Sequence, residues 1–158
     1  MSKVVSLVEE KDKVKSKIRD VTGMIFSSYK GRKDWIVSEN GKMSVFITSS
    51  SLHLSKKYWF DLSVRDLLDW DKFEKAIVVF VLGSSQRVLI VPANALYELV
   101  KQSVKSLKVV SDATVKLHVE RRDGEYVLHE ANKASMSKYY NKYDFLLDFP
   151  WFRRHLIG

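Results

Sequence analysis

Two neighbouring segments of this chain are apolar at nearly every position. They are residues 76–83 (AIVVFVLG) and 87–93 (RVLIVPA), and the polar residues SSQ separate them. Successive side chains of a strand point to opposite faces of its sheet, so a strand that is apolar at both parities must be covered on both faces. The segments therefore predict a hairpin at the centre of a sheet that has layers on both sides, with Pro92 ending the second strand.

The flanking sequence alternates between helical and extended patterns. Apolar residues at three- and four-residue steps predict helices over residues 3–26, 64–75 and 94–108, and a further helix up to Asp148 that Pro150 interrupts. Asn40-Gly41 and Asp123-Gly124 lie between extended runs and predict hairpins over residues 34–48 and 115–130.

These elements predict an α+β fold in a single domain. Its mostly antiparallel central sheet is expected to carry two hairpins, flanked by an N-terminal, a middle and a C-terminal helix. The 158 residues suffice for one substantial core. Residues 1–33 read as a basic helix and loop, residues 34–149 as the α+β core of the same domain, and residues 150–158 as a tail.

Charge is the main compositional signal. The chain has 27 Lys and Arg against 19 Asp and Glu, a net charge of +8, and residues 1–33 hold nine of the cations and four of the acids. Such an excess favours polyanionic partners, nucleic acid first. The sequence has no cysteine, no apolar segment typical of a signal peptide and no run long enough to span a membrane, so a cytoplasmic protein without membrane contact is expected.

The strand that contains residues 56–62 (KKYWFDL) carries a tryptophan between a cation and a carboxylate. Tyr58 and Phe60 share one face of an extended strand, whereas Lys57, Trp59 and Asp61 share the other. The first face is a core face. Trp59 is therefore either buried by another layer or exposed as a contact residue, and we favour the exposed arrangement.

The second hairpin offers a weak metal site. A two-residue turn at Asp123-Gly124 sets His118 opposite His129 and puts Glu120 on the same face, so these three side chains could hold a divalent metal. A solvated hairpin face, with Arg122 and Glu125 paired, is the more common meaning of such spacing.

Recognisable catalytic motifs are scarce. A restriction-type nuclease needs an Asp on one strand and Glu-x-Lys on the next. The match at residues 9–11 precedes every strand, so Asp61 and Glu74 remain only as alternative catalytic residues. The sequence LGSSQ lacks the second glycine of a nucleophile elbow, and no phosphate-binding glycine loop is present. No cofactor is expected unless a divalent metal is bound.

Three stretches in order resemble accessory, DNA-reading domains of restriction-type proteins. They are KYWFDL, KAIVVFVLGSSQRVLIVPANAL, and RRDGEYVLHE followed by YYNKYDFLL, and the resemblance spans residues 34–147. It implies a role beside DNA cleavage or in defence, while the missing nuclease motif argues against cleavage by this chain.

We therefore predict a non-catalytic domain that binds nucleic acid, DNA above RNA. Cations in loops and at strand ends would fix phosphates, and Trp59 would be the aromatic contact. The predicted cations are Lys30, Arg32, Lys33, Lys56, Lys57, Arg87, Arg121 and Arg122. One alternative is an atypical metal-dependent nuclease, and a second is a protein-interaction subunit or homo-oligomer that pairs through residues 3–26.

Overall fold

In a computed structural model, residues 7–107 and 114–148 form two β-sheets and four α-helices. The first sheet contains β1 (Phe26–Ser28), β2 (Trp35–Ser38), β3 (Met43–Ser50), β5 (Lys75–Ser84) and β6 (Arg87–Pro92), in that spatial order. The second sheet contains β4 (Lys57–Ser63), β7 (Thr114–Arg122), β8 (Glu125–Leu128) and β9 (Ala134–Ser135). The helices are α1 (Leu7–Thr22), α2 (Val64–Asp69), α3 (Ala93–Leu107) and α4 (Phe145–Asp148).

The α+β class is confirmed, although the strands form two sheets and not one central sheet. All pairings in the second sheet are antiparallel, and the first sheet contains one parallel pair, β3 with β5. Between those two parallel strands the chain leaves to form β4 and α2, which is the crossover that a parallel pair requires.

The first sheet is covered on both faces, as its apolar strands predicted. On one face, Val78, Phe80 and Leu89 share a core with Phe60 and Leu117 of the second sheet. The other face packs against α1 and α4, and its contacts are Ile47, Ile77, Val79 and Ile90 with Val14, Ile18 and Leu146. Alternate residues of β5 therefore enter different cores, which explains why both parities of the strand are apolar.

The place of β6 differs from the prediction that both apolar strands are central. β6 is an edge strand. Asn141 covers that edge: its backbone N–H donates to the Val88 carbonyl (2.8 Å), and its side-chain oxygen accepts from the Val88 N–H (3.1 Å). A covering segment satisfies the exposed polar groups of an edge strand and keeps its apolar residues out of water.

Both predicted hairpins form. β2 pairs with β3 around Asn40-Gly41, and the Asp123-Gly124 turn sets the predicted pairs Arg122 with Glu125 and Arg121 with Tyr126. The second turn needs a positive φ at both central residues, and Asp123 (φ 53°) and Gly124 (φ 82°) supply it.

The terminal segments are less helical than predicted. α1 (Leu7–Thr22) ends four residues before the predicted end of the helix, and Phe26–Ser28 is a strand, so part of the predicted basic segment belongs to the same sheet as the core. Within residues 136–148 the helical parts are a 3₁₀ turn at Ser137–Tyr139 and the short α4. Residues 3–6 of the predicted first helix, Pro150 and the predicted tail 150–158 lie outside the described residues.

Candidate nucleic-acid interface

Trp59 lies on the outward face of the second sheet. Its side chain is 48% exposed, whereas Tyr58 and Phe60 on either side of it are buried in the core. The alternation of the strand predicted these two faces, and the exposed position of Trp59 is the one of the two possible arrangements that we favoured. The register of β4 with β7 sets Trp59 opposite His118, Lys57 opposite Glu120 and Asp61 opposite Lys116.

Another aromatic ring stacks on the Trp59 indole. The imidazole of His53, from the exposed loop between β3 and β4, stacks on it with 4.3 Å between ring centroids and 8° between ring planes. His118 contacts it edge-on, with centroids 5.5 Å apart. A stacking surface of this kind accepts planar aromatic groups in general, including nucleobases.

Five of the predicted cations gather at one end of the second sheet. Because Lys57 pairs with Glu120, the start of β4 and the end of β7 are adjacent, which brings Lys56 and Lys57 beside Arg121 and Arg122. Arg87 comes from the first sheet, and its Nη2 lies 3.9 Å from the point where a Cβ on Gly83 would lie. The Tyr58 ring lies 3.7 Å from the same point. We call these five residues the sheet-end cations.

Two of the three arginines of this group, Arg87 and Arg121, lie near Tyr126. The Arg121 guanidinium lies 5.8 Å from the centre of the Tyr126 ring, and the ring of Tyr140 stacks on the same tyrosine at 5.4 Å. Burial raises the pKa of Tyr126, and the charges of Arg121 and Arg87 act against that rise. Within the described part of the chain, neither arginine has a carboxylate within ion-pair distance.

The remaining predicted cations lie around the Tyr29–Gly31 turn, and carboxylates hold two of them. Lys30 Nζ is 3.3 Å from Asp69. Arg32 donates from Nε and Nη2 to both oxygens of Asp34 (3.1 Å each) and from Nη1 to Asp66 (2.9 Å). These bonds, first with Asp34 and then with Asp66, raise the pKa of Arg32. Arg32 therefore has a structural role here, and Lys33 stays exposed.

The second hairpin does not assemble the predicted metal ligands. The β7–β8 ladder ends at Val119 with Leu128, one pair before the histidines, because His129 begins a 3₁₀ turn. His118 Nδ1 lies 2.6 Å from Glu130, and His129 Nε2 lies 2.6 Å from Glu120. The bond with His129 lowers the pKa of Glu120. Residues 7–107 and 114–148 contain no group of three or more His, Asp or Glu that could hold a metal ion.

The alternative catalytic carboxylates are both exposed. Asp61 lies 3.6 Å from Lys116 on the outward face of the second sheet, and Glu74 lies in the bend before β5. The interaction stripe predicted for residues 3–26 is partly used within the molecule, since Val14 and Ile18 are fully buried against the first sheet.

One groove was not predicted from the sequence. It has a volume of about 500 Å³, and its lining residues are Lys13, Lys17, Ser85, Gln86, Asn141 and Tyr143. The i, i+4 spacing of the two lysines puts them on one side of α1, which the sequence does reveal. Their partners come from a turn and a C-terminal segment that no local pattern connects to α1.

Comparison with protein-family models, with curated proteins and with solved structures found no match. Among the described residues, no helix is long and apolar enough to cross a membrane.

Proposed function

We propose that this chain binds nucleic acid, with DNA as the first ligand to test, and that it does so without catalysing a reaction. The observation that carries the proposal is that Lys57 and Arg122 share the outward face of the second sheet with the exposed Trp59. The other sheet-end arginines, Arg87 and Arg121, lie at the same end of the sheet but on the side of Tyr58 and Tyr126. Lys57 and Trp59 lie two residues apart on the same strand and the same face, so a phosphate contact and a stacking contact are adjacent.

The charges at the sheet end support an anionic ligand. Glu120, Asp123 and Glu125 adjoin the five cations in the register of the strands and the turn, so the five positive charges exceed these three negative charges by two. Glu120 is bound to His129, and Glu125 accepts a hydrogen bond from the Ser135 hydroxyl at 2.6 Å. The arginines can thus offer planar, multiply donating groups to phosphate oxygens.

The stacking site explains how a base would be held. His53 shows that a flat ring fits against the Trp59 indole, and it comes from an exposed loop that also exposes Leu52 and Leu54. In this proposal an unpaired base takes the position of the His53 ring or extends the stack. A role beside restriction or in defence, which the sequence resemblance implies, stays a prediction.

Binding of labelled single- and double-stranded DNA and RNA across a salt series tests the proposal. Release of counterions makes log affinity fall linearly with log salt, by about 0.9 per phosphate contact on duplex DNA and about 0.7 on a single strand. Arg121→Gln and Arg122→Gln should each weaken binding to every sequence and reduce the slope by about one contact.

Lys42→Gln is the matched control, because Lys42 is exposed in the turn between β2 and β3, at the opposite end of β3 from Ser50, whose hydroxyl accepts the Trp59 N–H. It removes the same charge and should leave the slope unchanged. If the Arg122 and Lys42 variants lose the same affinity, binding follows net charge alone and the sheet end is not the interface. Absence of binding at about 50 mM salt would reject the function itself.

A further inference from the structure

The groove next to α1 has the size of a small-molecule site. Its volume of about 500 Å³ lies within the usual range for ligand pockets, and three separate elements form its walls. Lys13 and Lys17 come from α1, Ser85 and Gln86 from the β5–β6 turn, and Tyr143 from the segment before α4. None of these residues belongs to the sheet-end cations.

The turn is held against α1 by a buried carboxylate. Glu10 accepts the backbone N–H of Ser85 through Oε1 (2.7 Å) and pairs through Oε2 with Lys13 Nζ (3.0 Å). The hydrogen bond from Ser85, and after it the bond from Lys13, lower the pKa of Glu10, so this residue is an anion at neutral pH. The contact fixes the distance between the helix and the turn across the groove.

Hydrogen bonds also fix the wall of the groove that the C-terminal segment forms. Asn141 adopts a left-handed backbone (φ 52°), and its Nδ2 donates to the Gln86 carbonyl at 3.0 Å, in addition to the bonds with Val88 that cover the edge of β6. The groove is therefore shaped before any ligand arrives, which reduces the entropy that a ligand must lose on binding.

Hydrogen-bond donors and positive charge dominate the lining. The Lys17 ammonium lies 5.3 Å above the centre of the Tyr143 ring and, among the described residues, has no carboxylate within ion-pair distance. Burial raises the pKa of Tyr143 to about 12, so its hydroxyl stays neutral and can donate a proton at pH 7. Glu10 balances one of the two lysine charges, and Lys17 remains unbalanced.

We propose that this groove binds a phosphate monoester. Near neutral pH a monoester has three terminal oxygens, and the lining offers a donor for each of them: the unbalanced Lys17 ammonium, the N–H groups of Lys13 that Glu10 does not use, and the neutral Tyr143 hydroxyl. A phosphodiester has only two such oxygens. The remaining length of the groove would hold the organic part of the ligand. The ligand is a free mononucleotide or the 5′-phosphate at the end of a strand, which share this chemistry.

Titration of the folded chain with a 5′-mononucleotide, the matching nucleoside and inorganic phosphate, followed by calorimetry or by amide chemical shifts, tests the site. The mononucleotide should bind at least about tenfold more tightly than the nucleoside, and Lys17→Gln should weaken it by about tenfold, the usual value of a charge-assisted hydrogen bond. Shifts should centre on Ser85, Gln86 and Tyr143.

Lys116→Gln, which removes the same charge on the second sheet, should leave mononucleotide affinity unchanged. Lys17 is exposed, so its variant should fold normally, and an unchanged melting temperature verifies this. Equal affinity for nucleoside and nucleotide, or equal losses in the Lys17 and Lys116 variants, would overturn the proposal.

A second comparison identifies the source of the phosphate. If a single-stranded oligonucleotide binds more tightly with a 5′-phosphate than without it, and Lys17→Gln removes only that difference, the ligand is a strand end; a response to the mononucleotide alone indicates a free nucleotide. Trp59→Ala should leave mononucleotide binding intact, so failure of the nucleic-acid proposal and failure of this one are distinguishable.

Discussion

Replacing Arg32 by methionine should destabilise the fold and leave ligand binding by the folded protein unchanged. The guanidinium bonds to both oxygens of Asp34 and to Asp66, and it also lies 5.3 Å from the Trp35 ring and 5.5 Å from the Phe46 ring. Methionine keeps a long apolar side chain over those rings. The substitution therefore removes the charge and its donors while retaining most of the packing.

The burial of the three side chains sets the size of the effect. Breaking a fully buried ion pair costs about 3–5 kcal/mol, whereas an exposed pair contributes about 0.2–1 kcal/mol. The side chains of Arg32, Asp34 and Asp66 are 36%, 31% and 12% exposed, so solvent screens part of the interaction. We expect a loss of about 2 kcal/mol, which for a chain of this length lowers the melting temperature by about 4–8 °C.

Thermal and urea unfolding measure this loss, with Lys33→Met as the neighbouring control. Lys33 is exposed, and its variant should stay within about 0.5 kcal/mol of the wild type. A double-mutant cycle with Asp66→Asn should return a coupling free energy of about 1–2 kcal/mol. If Arg32→Met unfolds like the control but binds DNA less well, Arg32 contacts phosphate, as its position in a basic loop predicted, and its structural role is refuted.

Three further substitutions have defined outcomes. Trp59→Ala should cost only about 1 kcal/mol of stability, because half of the side chain is exposed. It should weaken nucleic-acid binding by about tenfold or more in the salt series. A drop in melting temperature above about 10 °C would instead make Trp59 a core residue. Glu10→Gln should destabilise the protein at pH 7 and do so progressively less as the pH falls below 4.5, since a carboxyl whose folded pKa is lowered stabilises the fold above its usual pKa of 4.5 and loses this effect as the pH falls through the folded pKa; parallel stability curves for variant and wild type from pH 7 into the acid range would contradict this. Gly83→Ala should cost about 1–2 kcal/mol in urea unfolding because φ is +76° there, although a Cβ would find the nearest atom, in the Tyr58 ring, at an acceptable 3.7 Å; an unchanged unfolding midpoint would show that the backbone relaxes.

The parts of the fold that could be predicted are those that local geometry determines. The two-residue turn at Asp123-Gly124 fixes the pairs that follow it, and the parity of residues 76–83 requires a layer on each face of their sheet. The position of β6 at an edge could not be predicted in the same way. An edge strand covered by Asn141 has the same apolar pattern as a central strand, and the covering residue lies 53 positions away from Val88.

The candidate site was predicted less well because a cation's role depends on partners that are distant in sequence. Arg32 and Arg121 both lie next to a charged or polar turn in the sequence. Arg32 is nevertheless bound by Asp66, which is 34 residues away in the sequence, whereas no carboxylate among the described residues forms an ion pair with Arg121. The histidines illustrate the same limit. The hairpin register was inferred correctly up to the pair Val119 with Leu128. The predicted pair of His118 with His129 is wrong, because the strand gives way to a 3₁₀ turn there and Glu130 becomes the partner of His118.

The β5–β6 turn connects the two proposed sites. Gln86 lines the groove next to α1, and the following residue, Arg87, belongs to the sheet-end cations. Glu10 holds this turn from the helix side and Asn141 holds it from the C-terminal side, so its backbone is fixed by residues from both ends of the described chain. In the two proposals this turn supplies a donor to each site, Gln86 to the groove and Arg87 to the sheet end. A positioning role of that kind would account for the buried carboxylate that anchors so exposed a turn, because burying a charge is costly unless it is paired and hydrogen-bonded.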